Sequence, residues 1–225
     1  MWHQLKVDDN FYNAKYWEWQ SQGVELGGKI QASVLFQEYI NENDVVLDFG
    51  CGSGTTIKNI KCREKAGFEI NPYAVKYNTE VNGIQTYSEL DNIPNNYFDV
   101  IISNHALEHV PTPYETLCTL RDKLKQGGKI IIYVPSMEDE LAKLRNQNNT
   151  YDTNDRDNHL FGWNFQLLSN LVIKCKYKLV DAKTKPYSRT GNSDNAFRQG
   201  GRDAFLKVAI TENVHPQTFV YATKE

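Results

Sequence analysis

Val45-Val46-Leu47-Asp48-Phe49-Gly50-Cys51-Gly52-Ser53-Gly54 decides the fold. The first five residues, apolar but for one aspartate, read as a short strand buried on both faces. The glycines that follow let the chain turn tightly and come close to a ligand. A helix opening behind them would offer free N–H groups to an anion. The spacing is Gly-x-Gly-x-Gly, and Thr55 stands where a dinucleotide fingerprint needs spacing toward a third glycine. Glu69 follows Asp48 by 21 positions, at the end of the next apolar run. A carboxylate at that place can accept hydrogen bonds from both hydroxyls of a ribose.

Outward from this centre, strands and helices alternate. A helix is expected from Lys29 to Ile40, ended by the turn Asn41-Glu42-Asn43-Asp44. Strands are expected at Lys65–Ile70, Ile84–Tyr87, Phe98–Ser103, Lys129–Val134, Tyr177–Thr184 and Thr218–Thr223. Asn71-Pro72 opens one helix. Thr112-Pro113-Tyr114-Glu115 reads as a capping box for another, ended by Gln126-Gly127-Gly128. Asn164–Cys175 and Arg202–Thr211 read as helices, and residues 136 to 158 as a polar loop or small lid. Apolar strands joined by helices predict an α/β fold, a Rossmann-like doubly wound sheet with helices on both faces. Ligands then sit at the carboxyl ends of the strands.

Composition narrows the function. The chain has 225 residues, 40% hydrophobic, with a formal charge of −3. Its pI is near 6.0 and its mean hydropathy −0.59. That balance argues against a domain built to neutralise phosphates, so no nucleic acid is expected. No apolar run is long enough to span a membrane, so no membrane insertion is expected. No signal peptide is visible. Cys51, Cys62, Cys118 and Cys175 form no Cys-x-x-Cys pair and read as reduced thiols of a cytoplasmic protein. A single domain over 1–225 is expected, with an aromatic N-terminal cap segment (1–28) and substrate-side loops at 136–163 and 186–202.

Three strings together carry a resemblance: Val45 through Gly54, Gly67-Phe68-Glu69-Ile70-Asn71-Pro72, and Phe98-Asp99-Val100-Ile101-Ile102-Ser103-Asn104-His105. It continues through Leu107-Glu108-His109-Val110 and Leu124-Lys125-Gln126-Gly127-Gly128. The chain resembles the class I S-adenosylmethionine-dependent methyltransferases from Lys29 to Thr223, in what looks like a small-molecule or sugar-type branch. The resemblance implies seven strands, the last antiparallel. It implies that Asp48 and the backbone of Gly50, Cys51, Gly52 and Gly54 hold the methionine end of S-adenosylmethionine. By the same resemblance Glu69 binds the ribose hydroxyls and Ile70 packs on the adenine. Ser88, Glu89 and Leu90 fall at the adenine edge, where the family more often has Asp. Asn104 and His105 line the methyl-donor channel.

Methyl transfer from a sulfonium needs alignment and exclusion of water, and a hydroxyl acceptor must lose a proton. His105 and His159 are the favoured bases, with His109 a third catalytic candidate beside them. No metal is assigned to the site. One alternative exists: ubiquinone and small-RNA O-methyltransferases hold a divalent metal with Glu-x-x-Glu-His and a later His. Here the spacing reads His105-x-x-Glu108-His109 with His159 later, a set suited to zinc, iron or nickel. Tyr12 and Tyr16 are candidate acceptor contacts in the aromatic N-terminal segment. Arg189, Arg198 and Arg202 are candidates to grip a phosphate or carboxylate. The polar lid and the arginines point to a small polar, sugar-like or phosphorylated acceptor, methylated on O or N, and the resemblance implies a place in sugar or polysaccharide biosynthesis. Two rivals stand beside this reading: a nicotinamide (NAD) dependent oxidoreductase and a non-catalytic cofactor-binding subunit. Assembly as a homodimer is left open.

Overall fold

A computed structural model describes residues 12–21, 33–146, 157–185, 199, 204, 207 and 217–225. Helix α1 (Ala14–Ser21) precedes α2, described over residues 33–37. The alternating unit then runs β1 (Val45–Phe49), α3 (Thr55–Lys58), β2 (Glu64–Phe68), α4 (Pro72–Tyr77), β3 (Gln85–Tyr87), β4 (Phe98–Asn104), α5 (Pro113–Lys123) and β5 (Leu124–Pro135). Next come α6 (Met137–Asn146), α7 (Phe165–Lys174), β6 (Lys178–Lys185) and β7 (Gln217–Thr223). The strands form one seven-stranded sheet in the order β3-β2-β1-β4-β5-β7-β6. β1 pairs parallel with β2 and β4, and β7 runs antiparallel to both β5 and β6. The expected topology, with its antiparallel last strand, is therefore what forms.

Every residue of β1 is buried, as its unbroken apolar run requires. Leu47 and Phe49 pack with Ile101, Leu117, Leu120 and Leu168 on one face of the sheet. Val46 packs with Phe36, Ile57, Val100, Ile131 and Phe219 on the other. Between β1 and β4 the strand order reverses direction, so the crevice at their carboxyl ends is where a ligand fits this architecture.

Three local expectations give way. Residues 136 to 158 are not simply a loop: Met137–Asn146 is a helix whose first turn carries Glu138, Asp139 and Glu140. Acids there suit the positive end of the helix dipole. β5 begins at Leu124, and a register irregularity opposite Phe98/Val100 carries the chain through Gly127, whose φ is 75°. Thr112 precedes α5 without a side-chain cap, since its backbone sits at φ −125°, ψ 68°. Ala204 and Lys207 are helical, as the reading of 202–211 anticipates, and the rest of that segment lies outside the described residues. No helix among the described residues is long and apolar enough to cross a membrane.

Candidate active site

The glycine loop is locked from below. Asn78 Nδ2 donates to Gly52 O at 2.8 Å and Asn82 Nδ2 donates to Ser53 O at 3.0 Å. Both asparagines sit on a π-helical turn, Asn78–Asn82, that extends α4. Gly54 has φ 72°, and a Cβ there would overlap Asn78 Oδ1. Gly50 has φ 75°, with Ala106 pressed against the place a Cβ would take. The amides of Gly50 and Cys51 both donate to Phe68 O, at 2.9 and 3.0 Å, which fastens the loop to the end of β2.

Two carboxylates lie beneath and beside the loop. Asp48 is 2% exposed, and burial together with the Glu69 charge raises it to about 7 against the pull of the Ile57 amide. Glu69 accepts from the amides of Gly52 (2.8 Å), Ile70 (2.8 Å) and Asn71 (2.9 Å). Burial still raises Glu69 above the usual carboxylate range despite those three donors. Among the described residues no lysine or arginine forms an ion pair with either acid. A buried pair of this kind is costly unless a cation or hydroxyl donors reach it. An ammonium group and ribose hydroxyls are such donors, so the residues present fit the cofactor. Burial likewise holds the Cys51 thiol protonated. Ile70 is packed against the core beside Glu69, while Ser88 and Glu89 are exposed and Leu90 half-buried just past β3.

α1 lies against this loop. The Gln20 side chain meets the open side of Gly52, and the Trp17 ring is 5.4 Å from that of Tyr77. Tyr16 stacks edge-on against Tyr12 at 5.1 Å. Burial pushes the Tyr16 hydroxyl up, followed by Tyr12, Glu69, Asp157 and Glu108, so the ring stands within the fields of both halves of the crevice.

The second half is built on Glu108, which is 1% exposed on a short 3₁₀ turn, Leu107–His109, after β4. Three imidazoles converge on its Oε1: His105 Nδ1 at 3.7 Å, His109 Nε2 at 3.8 Å and His159 Nε2 at 3.9 Å. His159 arrives from 51 residues downstream of Glu108 because the Leu160 and Phe161 amides donate to Glu108 O, at 2.8 and 3.2 Å. Its Nδ1 is 2.9 Å from Glu140 Oε1 on α6. His109 Nδ1 is 3.3 Å from Asn158 O, and the two rings are 4.9 Å apart. Burial and then the His159 charge lower His109 to about 4. Burial pulls His159 the same way, but the Glu140 hydrogen bond and the Glu108 and Glu140 charges outweigh it and raise it. His105 holds φ 53°, donates its amide to Tyr133 O at 2.9 Å and sets Nε2 against Gln217 Nε2. Asn104 Oδ1 is buried beside it without a hydrogen bond among the described residues.

The structure therefore brings together Asp48, Gly50, Cys51, Gly52, Gly54 and Glu69, and gathers His105, His109 and His159 about Glu108. Arg189, Arg198 and Arg202 lie outside the described residues. Sequence reasoning missed Asn78, Asn82, Gln20, Glu140 and Gln217. The signal for Glu140 was its place in the first turn after the fifth strand.

A family model for a methyltransferase domain matches residues 16–170. No curated protein matches the sequence. Solved structures share the fold, among them the following three. The complex of the Trm112 methyltransferase activator with a methyltransferase in Haloferax volcanii aligns at 15% identity and a TM-score of 0.65, covering 92% of this chain and 94% of that one. An S-adenosylmethionine-dependent methyltransferase of Thermotoga maritima aligns at 15% and 0.62, covering 92% and 95%. Phosphoethanolamine N-methyltransferase 2 of Haemonchus contortus, in complex with S-adenosyl-L-methionine, aligns at 14% and 0.61, covering 98% of this chain and 58% of that one. The family model spans the glycine loop, both carboxylates and the histidine-ringed Glu108, and by that match the chain belongs to the methyltransferase-domain family, as a class I S-adenosylmethionine-dependent methyltransferase.

Proposed function

We propose that the chain moves a methyl group to an oxygen, or a nitrogen, of a small polar metabolite, sugar-like or phosphorylated. One observation carries the reading: a pair of buried carboxylates at the glycine loop, without a cationic partner among the described residues, stands beside a ring of histidines on one buried glutamate. Asp48 and the loop amides hold an amino-acid end, and Glu69 holds the ribose. Ile70, with Ser88, Glu89 and Leu90, borders the adenine. When bound, S-adenosylmethionine supplies a methyl group on a positively charged sulfur. The protein's part is alignment and dryness: Asn104 and Tyr16 line the passage, and α1 shields the loop from water. His105 or His159 takes the proton that an acceptor hydroxyl gives up, while His109 stays neutral as their neighbour. Tyr12, Arg189, Arg198 and Arg202 are assigned to the acceptor. The protein works in the cytoplasm as one domain over 1–225, with no nucleic-acid partner, and a homodimer is compatible with this reading.

Calorimetry with S-adenosylmethionine and with NAD, followed by labelled-methyl transfer into pooled polar metabolites, tests the proposal. Binding of the first alone and label in a polar acceptor support it. Label that never leaves the cofactor sinks it in favour of a binding subunit.

A second reading has its own observation. Glu108, His109 and His159 offer ligand atoms all within 4.8 Å of one another, and both imidazoles turn Nδ1 to an outer oxygen. That is how metal-bound histidines are commonly oriented. His105 Nδ1 stands 3.7 Å from Glu108 Oε1 but lies outside that group of three. A zinc, iron or nickel ion held there would polarise an acceptor hydroxyl. Elemental analysis of purified protein decides it: a metal-free, fully active enzyme dismisses the ion.

A further inference from the structure

α6 contributes one side chain to the rim. Glu140 Oε1 lies 2.9 Å from His159 Nδ1, and Glu140 is itself braced. Lys143 Nζ stands 3.4 Å from the same Oε1, 3.7 Å from Asp139 Oδ2 and 3.0 Å from Asp157 Oδ2. Asp157 precedes His159 by two residues, so Lys143 ties α6 to the segment that delivers the imidazole. From the other side, the Leu160 and Phe161 amides fasten that segment to Glu108 O. The Met137 amide donates to Trp163 O at 2.7 Å and closes the frame at the foot of α6. His159 is thus held by the Lys143–Asp157 ion pair on one flank and by backbone bonds on the other, and oriented by Glu140.

An ionised carboxylate only accepts, so the bond requires the proton of a neutral His159 to sit on Nδ1. The Nε2 lone pair then faces the rim, on the side of Glu108. Lys143 Nζ, 3.4 Å from that same Oε1, gives an ionised Glu140 a cationic partner of its own. We propose that Glu140 is a positioning residue for methyl transfer, fixing His159 in its Nδ1–H tautomer and aiming Nε2 at the acceptor site. The inference rests on the role proposed above for His159. It holds whether Nε2 takes a proton or binds an ion, because both need that lone pair inward.

Long-range 1H–15N spectra of histidine-labelled protein, at about pH 9 where ordinary histidines are neutral, read the tautomer directly. The His159 signals are those lost in His159→Ala. The parent should show Nδ1–H alone. Glu140→Ala should mix the tautomers and lower kcat about 10- to 100-fold, with KM for the cofactor unchanged. Glu140→Gln, whose amide oxygen still accepts, should keep the tautomer and most of the rate. If Glu140→Ala does not fold, Glu140→Asp, which withdraws the carboxylate by one methylene, replaces it. An unchanged tautomer or an unchanged kcat in the truncated variant overturns the proposal. Full activity in His159→Ala would instead remove the role of His159 while leaving the tautomer result intact, so the two failures are distinguishable.

Discussion

The Gly52 amide donates to Glu69 Oε2 at 2.8 Å, so the carboxylate proposed to bind the ribose also holds the glycine loop. Its other oxygen takes the Ile70 and Asn71 amides. The acid is therefore preset in one rotamer by three backbone donors, with its remaining lone pairs left for a diol. Hydrogen bonds to a charged group are worth about 1.5–3 kcal/mol each. Glu69→Ala is expected to raise the Kd for S-adenosylmethionine at least about tenfold, through lost contacts and a loosened loop. Glu69→Gln, which keeps an acceptor, should lose less. Isothermal calorimetry ranks the three proteins, and equal affinities would remove Glu69 from the cofactor site.

The contact of Gly54 with Asn78 makes a second prediction. Gly54→Ala meets both a positive φ and the Asn78 carboxamide. Strain of the first kind costs on the order of 1–3 kcal/mol. Asn78→Ala relieves only the steric part, while breaking the bond to Gly52 O. The double variant should thus be less destabilised than the sum of the singles, yet still below the parent. Denaturant midpoints of the four proteins test the coupling, and strict additivity would argue against the contact.

Why these residues differ in legibility is a matter of range. The run Val45–Gly54 is legible because a doubly buried strand and a positive-φ loop each demand particular residue types locally. Glu69 was legible from spacing, since one crossover fixes where the next strand ends. Asn78 and Asn82 look like ordinary helical polar residues, and only the π turn aims them at the loop carbonyls. Glu140 sits in a helix that reads as polar loop, because its stability comes from first-turn acids, Lys143 ion pairs and the backbone of Trp163 rather than from an apolar stripe. Gly127-Gly128 reads as a stop, but the bulge absorbs the positive φ and β5 passes through it. His159 was named as a candidate from its neighbours, but its meeting with Glu108 depends on two backbone bonds made across the fold.

Asp48 sets a pH dependence. Folding raises it from 3.8 to about 7. Between those values the folded chain keeps a proton that the unfolded chain has released. By linkage, the stability of the cofactor-free protein is greatest, with respect to this group, below its unfolded value and falls as pH rises to about 7, where the loss levels off. Asp48→Asn mimics the protonated acid at every pH. Its Tm should match the parent near about pH 4 and exceed it near about pH 8, while its affinity for S-adenosylmethionine drops because an ammonium loses its counter-charge. Scanning calorimetry at the two pH values checks the first half, and titration with cofactor the second. A variant less stable than the parent at the higher pH would show that the buried charge is otherwise compensated.

α1 bears on how fast the cofactor leaves. None of its eight residues is buried, so it contributes little apolar area to the core. Its ties to the cofactor half include the Trp17–Tyr77 ring contact and the approach of Gln20 to Gly52. A tilted aromatic pair is worth about 0.5–1.5 kcal/mol. That is small against a core but large enough to set how often a cover opens, because each 1.4 kcal/mol is about tenfold in an equilibrium. Trp17→Ala should therefore leave Tm nearly unchanged and raise the dissociation rate of S-adenosylmethionine by about 3- to 10-fold, with a smaller effect on its association rate. Gln20→Ala should act in the same direction and more weakly. Stopped-flow displacement of bound cofactor measures both. A dissociation rate equal to that of the parent in Trp17→Ala would mean that α1 packs beside the cofactor without covering it.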